Sequence, residues 1–284
     1  MNDLLKAVIL GVIEGVTEFL PVSSTGHMRL AEAWMGSIVS PAFAKTFDIF
    51  IQSGAIAAVL VYFRHRLLDL VGLRRPPPNY TDHAPLEPTQ RRHLLLMLLL
   101  ASLPLAIGYV AAKRAEEFYL ARGDLETHVI AWALLLGGVL MILIERFRPA
   151  AVIEHMEEMR WPHALVIGLC QIVAAVFPGT SRSAATIVPA LAMGMSRPVA
   201  AEFSFFLAIP ALLGAGAIKL ARFLRSPDVS LEQVGYLAVG TVVSFVVAYA
   251  VIAWFMRLIR RYSFTPFGVY RILVALVVFY LLYR

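Results

Sequence analysis

The chain has 284 residues, of which 60% are apolar and only 15% are charged, and its mean hydropathy is +0.75. An ordinary soluble domain is about 45–50% apolar and about 25% charged, so this composition argues against a water-soluble globule, a disordered chain or a fibre. The formal net charge of +6 comes from basic residues in short segments between apolar stretches. Such a distribution is typical of membrane-protein loops rather than of a nucleic-acid-binding surface, and we predict an all-α polytopic membrane protein.

The first predicted element is an apolar segment, residues 4–35, which proline, glycine and hydroxyl residues interrupt at 21–26. Each half is too short to cross a hydrocarbon core of ~30 Å, so we expect a re-entrant helix–loop–helix hairpin. Irregular backbone at that depth is tolerated where protein or a water-filled cavity surrounds it. The acids Asp3, Glu14 and Glu18 argue against a cleavable signal peptide, and we expect the segment to belong to the mature fold.

Six transmembrane helices are predicted, three after the first hairpin and three after a second one. The second hairpin covers residues 162–195 and is interrupted at 178–183. The six spans are 47–63, 94–112, 129–144, 203–218, 233–256 and 269–283. Asp48 and Arg271 stand near the ends of their spans, where we expect their charges to reach the membrane interface. The proline-rich stretch 74–88 predicts a surface loop.

Matching residues in the two halves indicate an internal repeat. At an offset of 157, Gly11, Val16, Pro21 and Ser24 align with Gly168, Val173, Pro178 and Ser181, and at an offset of 156, Phe47 and Phe50 align with Phe203 and Phe206. We predict one integral-membrane domain built from two repeats, 1–146 and 147–284, each with a hairpin followed by three spans. Because three is odd, the second repeat starts from the opposite side of the membrane, which gives an inverted-topology repeat.

The loop arginines predict the orientation. The segments 64–93, 146–161 and 257–266 carry twelve arginines, whereas 113–127 and 222–233 carry five basic residues. Positively charged loops stay on the cytoplasmic side, so both termini and the first hairpin are expected on the outer side.

Two acidic residues, Glu14 and Glu18, lie four positions apart in the first hairpin, so both carboxylates project from one helix face. Ionisable groups in apolar surroundings are costly unless they are paired, protonated or bound to a cation, which indicates a functional role. The alternative is that Asp3, Lys6 and these two acids form the solvated face of an interfacial helix.

Hydroxyl and imidazole groups follow in the first interruption, namely Ser23, Ser24, Thr25 and His27. Such a loop presents hydroxyls and backbone N–H groups at the start of the returning half-helix, an arrangement that binds anions. His27 is three residues from Ser24 and can serve as a base, a nucleophile or a proton donor. The alternative is helix capping by the hydroxyl residues, with His27 at the interface.

The second interruption supplies an arginine among hydroxyls. Its candidate phosphate-binding residues are Gly179, Ser181, Arg182, Ser183 and Thr186. An arginine at this depth needs a fixed anion, and its planar fork matches phosphate oxygens. The alternative is a structural ion pair with Glu14 or Glu18. Both interpretations place Arg182 beside the two acids, in a phosphate-ester site with room for a divalent cation.

Two motifs carry a resemblance to a known family. EGVTEFLPVSSTGH runs from Glu14 to His27, and PGTSRSAAT runs from Pro178 to Thr186. Together they resemble the two signature segments of the undecaprenyl-pyrophosphate phosphatase family of the bacitracin-resistance type. The similarity extends over nearly the whole chain and includes Glu202-Phe-Ser-Phe-Phe and Phe264-Thr-Pro-Phe.

The resemblance implies hydrolysis of undecaprenyl pyrophosphate to its monophosphate on the outer side of the bacterial cytoplasmic membrane. This reaction recycles the lipid carrier of cell-wall synthesis and requires Mg²⁺ or Ca²⁺. The implied catalytic positions are Glu14, Glu18, Ser24, His27 and Arg182, with Glu14 and Glu18 as candidate metal ligands and Ser23 and Thr25 among the phosphate-binding residues. The expected partners are the polyprenyl pyrophosphate and membrane lipids, with no nucleic acid and with a homodimer as a candidate assembly.

Several alternatives stay open at this level. Ser24 is the first choice of nucleophile, with His27 or Glu18 as its base, while direct attack by His27 or by water is also compatible with the sequence. A secondary transporter or polyprenyl-phosphate flippase can use the same pocket, because inverted repeats with broken helices are a transporter architecture. In a channel-like or scaffolding protein the polar residues would only cap broken helices. Type-2 phosphatidic-acid phosphatases are disfavoured because no histidine follows Arg182.

Overall fold

The computed structural model describes residues 1–73, 85–122, 125–223 and 230–283, and it is helical throughout these ranges apart from loops and one isolated bridge between Ile153 and Met195. The helices in chain order are α1 (Asp3–Thr17), α2 (Ser24–Met35), α3 (Pro41–Tyr62), α4 (Arg64–Leu70), α5 (Pro88–Leu120), α6 (Leu125–Phe147), a 3₁₀ turn (Met156–Glu158), α7 (Trp161–Val176), α8 (Arg182–Ala192), α9 (Arg197–Phe223), α10 (Leu231–Ile259) and α11 (Thr265–Leu282). Most of the predicted loop 74–88 lies outside the described residues.

Six described helices, namely α3, α5, α6, α9, α10 and α11, are long and apolar enough to cross a membrane. The predicted all-α class and the predicted six spans are therefore confirmed. The helices extend beyond the predicted spans, as α5 does on both sides of 94–112. A search for uncharged stretches stops at residues such as Arg91 and Lys113, whereas the helix continues through them because a charged side chain at a helix end can reach polar surroundings.

The two interrupted segments fold as pairs of short helices. In the first pair the break covers residues 18–23, slightly earlier than predicted, because Ser24, Thr25 and Gly26 already belong to α2. Lys6 Nζ donates a hydrogen bond of 2.9 Å to the carbonyl of Ser37, so α1 begins where α2 ends. The second pair, α7 and α8, is broken at residues 177–181. The re-entrant position of the two pairs in a membrane stays a prediction.

The loops of the two pairs share an unusual backbone. Ser23 and Ser181 have φ values of 75° and 70°, and the hydroxyl oxygen of each accepts a hydrogen bond from a backbone N–H in the first turn of the following helix. This conformation pairs Ser181 with Ser23, whereas the offset of 157 aligned it with Ser24. The segment from Gly168 to Ser181 is one residue longer than the segment from Gly11 to Ser23, so Arg182 occupies the position that corresponds to Ser24.

Equivalent glycines set two helix crossings. A Cβ added to Gly11 would lie 2.7 Å from the carbonyl oxygen of Gly240 in α10, and one added to Gly168 would lie 2.5 Å from that of Ala101 in α5. The first helix of each pair therefore lies directly against a long span. These matched contacts accord with the repeat, although the predicted bounds 1–146 and 147–284 stay a prediction.

Aromatic side chains form the core beneath the loops. Phe19, Phe205, Phe255 and Phe264 are fully buried, and the rings of Phe19 and Phe205 pack edge to face at 5.1 Å. Because Phe19 directly follows Glu18, this packing fixes the position at which α1 ends.

Ion pairs hold the end of the molecule that we predict to be cytoplasmic. Arg66 pairs with Glu157 and lies 3.9 Å from Glu202, so the Glu202 motif serves packing between elements here. Glu145 accepts hydrogen bonds of 2.8 Å from Arg197 Nε and from the backbone N–H of Phe264. The first residue of each motif thus lies in a contact between elements, whereas Ser204 and Phe267, further along the motifs, approach the two loops.

Candidate active site

The loops of the two helix pairs meet in the centre of the molecule. Ser183 Oγ in the second pair donates a hydrogen bond of 2.9 Å to the carbonyl of Leu20 in the first loop. Beside it, Arg182 Nη2 lies 3.4 Å from Glu18 Oε1. The contact brings residues from opposite halves of the sequence into one polar cluster.

Glu18 is the common acceptor of that cluster. Its Oε2 accepts a hydrogen bond of 2.7 Å from the hydroxyl of Ser24, and its Oε1 faces the guanidinium of Arg182. Glu18 is buried, and it occupies the C-cap of α1 just before the chain turns back towards Ser24. A buried carboxylate that holds a hydroxyl proton and pairs with an arginine is arranged to accept that proton during a reaction.

Glu14 lies one turn earlier on α1, is only 1% exposed, and interacts with the carboxyl group of Glu18. Its Oε1 has no hydrogen-bond partner among the described residues. The solvated-face alternative is wrong, because Asp3 pairs with Lys6 at the far end of α1 while both glutamates are buried. A buried carboxylate oxygen without a donor is a natural cation ligand.

Only some of the N–H donors of the Arg182 guanidinium bind other residues of the protein. Besides Glu18, its Nη1 donates to the carbonyl of Ser204 at 3.3 Å, and its Nε has no partner among the described residues. The contact with Glu18 through one atom leaves donors of the guanidinium fork for a second anion. A phosphate group fits such a fork.

Both ring nitrogens of His27 contact groups other than Ser24. Its Nδ1 lies 2.7 Å from the carbonyl oxygen of Ser23, and its Nε2 lies 2.7 Å from the hydroxyl of Tyr270. The carbonyl can only accept, so Nδ1 carries the proton and Nε2 accepts from Tyr270. The rings of His27 and Tyr270 also stack, with centroids 5.6 Å apart. Of the two bases considered for Ser24, the geometry favours Glu18.

The remaining predicted phosphate-binding residues have different surroundings. Ser23 and Ser181 cap α2 and α8, while Ser183 and Thr186 are fully buried, with hydroxyls bonded to Leu20 and Ser204 respectively. Thr25 is exposed and lines an outward-facing cavity. Gly179 is buried in the second loop with φ 88°. The buried hydroxyls therefore brace the loops, and the exposed ones face the open space.

Arg271 and Tyr270 were not predicted as site residues, yet α11 places both beside the loops. Arg271 was expected at the membrane interface, and this prediction is wrong because its side chain is fully buried and donates to carbonyls of both loops. The available signal was a charge within an otherwise apolar helix, which is costly unless the fold uses it. Tyr270 carries no comparable signal in sequence.

Two cavities reach the loops from different directions. One, of about 530 Å³, is lined by charged side chains, among them Arg29, Lys45 and Lys113, together with residues of both helix pairs. The other, of about 550 Å³, lies between α1, α10 and α11 and is lined mainly by apolar residues, with Tyr270 at its edge. A polar and an apolar cavity thus border the two loops, each through residues next to the Glu18 cluster.

The donor set fits a hard divalent cation. Glu14 and Glu18 offer carboxylate oxygens, the ligands that Mg²⁺ and Ca²⁺ prefer. No group of three or more acidic, histidine or cysteine side chains gathers at one point within the described ranges. Two carboxylates leave coordination positions for phosphate oxygens and water, which is how Mg²⁺ commonly binds beside phosphate substrates.

The fold and the site define an all-α membrane protein with a carboxylate, serine and arginine cluster suited to phosphate-ester chemistry. Comparison with known proteins agrees with this class. The family described as bacitracin resistance protein BacA matches residues 7–277, and the chain belongs to this family.

Three bacterial relatives match along almost their whole length. A protein named undecaprenyl-diphosphatase from Koribacter versatilis is 40% identical over 291 residues, covering 98% of each chain. Proteins of the same name from Fusobacterium nucleatum and Bdellovibrio bacteriovorus are 39% and 38% identical over 289 and 282 residues, covering 97% and 98% of this chain and 99% and 96% of their own.

Proposed function

We propose that this protein hydrolyses undecaprenyl diphosphate to undecaprenyl phosphate and inorganic phosphate. The observation that carries the proposal is the buried Glu18, which holds the proton of Ser24 on one oxygen and faces Arg182 on the other. The shared name of the relatives supports the same substrate, and family membership supports a role in lipid-carrier recycling for cell-wall synthesis and in bacitracin resistance.

Ser24 is the proposed nucleophile. Its oxygen attacks the terminal phosphorus while Glu18 takes the hydroxyl proton, and the bond from that phosphorus to the bridging oxygen breaks to release undecaprenyl phosphate. Water then attacks the phosphorylated serine, which restores the hydroxyl and releases orthophosphate. Arg182 stabilises the phosphate oxygens through the part of its fork that Glu18 leaves open. His27, held by Ser23 and Tyr270, fixes the first turn of α2.

Glu14 and Glu18 are the proposed holders of a divalent cation, Mg²⁺ or Ca²⁺. The unpartnered Oε1 of Glu14 supports this assignment. When bound, the cation would neutralise charge on the diphosphate and on the two buried acids. The phosphate-binding set would then comprise Arg182 together with the polar groups at the starts of α2 and α8.

The apolar cavity between α1, α10 and α11 is the proposed place of the prenyl chain nearest the diphosphate. Leu20, Val22 and Phe267 line it next to the loop that carries Ser24. This arrangement keeps the tail in lipid-like surroundings while the charged head enters the polar cluster.

The protein is a multi-pass membrane protein, and we propose the bacterial cytoplasmic membrane as its location, with the active site open to the outer side. The charged cavity lies at the end of the molecule opposite the arginine-rich segments, which supports this orientation. A homodimer stays a prediction.

Purified protein supplied with undecaprenyl diphosphate tests the function. We expect release of one phosphate per substrate and a loss of about 10²–10³ in rate for Arg182→Ala. Ser102→Ala is the matched control, because within the described residues the hydroxyl of Ser102 bonds inside α5, to the carbonyl of Leu98 at 2.7 Å. A transporter would instead move the lipid intact across a vesicle without releasing phosphate, and that result would overturn the proposal.

A further inference from the structure

Arg271 joins the two loops to a transmembrane helix. Its guanidinium donates to five backbone carbonyls, of which Pro21 (3.3 Å) belongs to the first loop, Gly179 (3.3 Å) and Thr180 (3.0 Å) to the second, and Ala133 (2.8 Å) and Leu134 (3.4 Å) to α6. No carboxylate pairs with Arg271 in the described part of the chain. A buried arginine without an acid is costly, so its five carbonyls must supply the compensation.

These bonds act on the peptide planes next to two strained residues. A peptide unit is planar, so a carbonyl held by Arg271 also fixes the direction of the following N–H group. The peptide unit of Pro21 ends at Val22, directly before Ser23, and the peptide unit of Thr180 ends at Ser181. Ser23 and Ser181 are the two capping serines with positive φ. A backbone in such an unfavourable conformation persists only where several contacts of the surrounding structure hold it in place.

The same two residues set the catalytic geometry. Ser24 directly follows Ser23, and Arg182 directly follows Ser181. The backbone conformation of each capping serine therefore sets the position of the Cα and Cβ atoms of the residue that follows it. Glu18 meets both of these side chains. Any change in the separation of the two loops would therefore alter the contacts of Ser24 and Arg182 with Glu18.

We propose that Arg271 is a positioning residue: it holds the two loops at the separation at which Glu18 contacts both Ser24 and Arg182. The inference rests on the proposed phosphatase function for its kinetic consequence, but the loop geometry that it describes can be measured without substrate.

The direct variants are Arg271→Lys and Arg271→Met. An ammonium donates from a single point and cannot reach carbonyls of both loops and α6 together, so lysine should behave more like methionine than like arginine. We expect kcat to fall on the order of 100-fold in both, with a much smaller change in KM, because misplacing reacting groups by about 1 Å has an effect of that size.

A second variant keeps the arginine and moves it. A Cβ added to Gly137 would overlap the guanidinium of Arg271, and the three nearest atoms across that contact, at 2.4, 3.0 and 3.4 Å, all belong to the Arg271 side chain. Gly137→Ala should therefore shift the guanidinium without opening a helix interface, and we expect about tenfold lower kcat. Gly235→Ala is the matched control, since nothing lies within 4 Å of a Cβ there.

Hydrogen exchange separates this proposal from the proposed function. Amides of 18–24 and 177–184 should exchange faster in Gly137→Ala and Arg271→Lys than in the wild type and Gly235→Ala. Unchanged exchange in both loops would overturn the positioning role, and so would faster exchange with unchanged kcat. If the loops loosen but the wild type releases no phosphate, the proposed function fails and the structural role of Arg271 stands.

Discussion

At the scale of single residues, the two glutamates of α1 have different surroundings and should respond differently to substitution. Glu18 holds Ser24 and Arg182, whereas Glu14 has an oxygen without a partner. We expect Glu18→Gln to lower kcat by about 10²–10⁴, as loss of a general base does. Glu14→Gln should mainly raise the Mg²⁺ concentration needed, because an amide is a poorer cation ligand than a carboxylate.

Phosphate release measured across a Mg²⁺ titration distinguishes these effects. Glu117→Gln, on an exposed part of α5, serves as the control for the loss of one acidic side chain. Because both acids are proposed cation ligands, a Mg²⁺ requirement that neither variant raises would contradict the cation site. An equal loss of kcat at saturating Mg²⁺ in both variants would contradict the assignment of the base to Glu18.

Tyr270 gives a second prediction at this scale. Tyr270→Phe keeps the ring stacked on His27 and removes only the hydroxyl that bonds Nε2. A neutral hydrogen bond contributes about 1 kcal/mol, so we expect a fall in kcat of roughly five- to tenfold. Tyr280→Phe, at an exposed tyrosine of the same helix, is the control. Full activity of Tyr270→Phe would show that the orientation of His27 does not depend on this bond.

At the scale of elements, the starts of α2 and α8 depend on serines with positive φ. The hydroxyl of Ser23 accepts from Gly26 and that of Ser181 from Ala184, at 3.2 and 3.3 Å. An alanine variant would lose the capping hydrogen bond, at a cost of about 1 kcal/mol in the free energy of unfolding, and would keep the unfavourable positive φ. A glycine variant would also lose the hydrogen bond, but glycine adopts a positive φ without steric cost. We therefore expect Ser23→Gly and Ser181→Gly to melt at higher temperature than the corresponding alanine variants.

Thermal unfolding of the four variants in the same detergent provides the measurement. The reverse order at either position, with alanine the more stable, would mean that the positive φ is not a property of that loop. Ser230→Ala and Ser230→Gly are useful references, because Ser230 caps α10 with an ordinary extended backbone and gives glycine no such advantage.

At the scale of the whole molecule, the charge distribution and the helix pairs predict which side each end faces. In a Cys170→Ala background, single cysteines at Leu5 and Trp34 should both label from the outer side, since α1 begins where α2 ends. A cysteine at Ala151, between α6 and α7, should label only from the cytoplasmic side. Labelling of Leu5 and Trp34 from opposite sides would exclude a re-entrant first hairpin.

Much of the site could be predicted from sequence because its residues are close together along the chain. Glu14, Glu18, Ser24 and His27 fall within fourteen consecutive residues. Helical spacing and the cost of charge in apolar surroundings selected the two acids, and the anion-binding start of the returning helix selected Ser24 and His27. Arg182 was selected for the same reason, since a charged side chain in an apolar segment is costly unless it has a function. The partners of each group could not be predicted, because they depend on how the two loops meet, as in the bond from Ser183 to Leu20.

The sequence alone determined the class of this protein, the six spans and the two broken segments, because hydrophobic length and helix-breaking residues act locally. Only the tertiary structure decided that Glu18 rather than His27 faces Ser24, and that Tyr270 holds His27. The same holds for Arg271, whose charge suggested a membrane interface until the fold buried it among carbonyls of three segments. Such contacts join residues up to 250 positions apart, and no local periodicity encodes which of them meet.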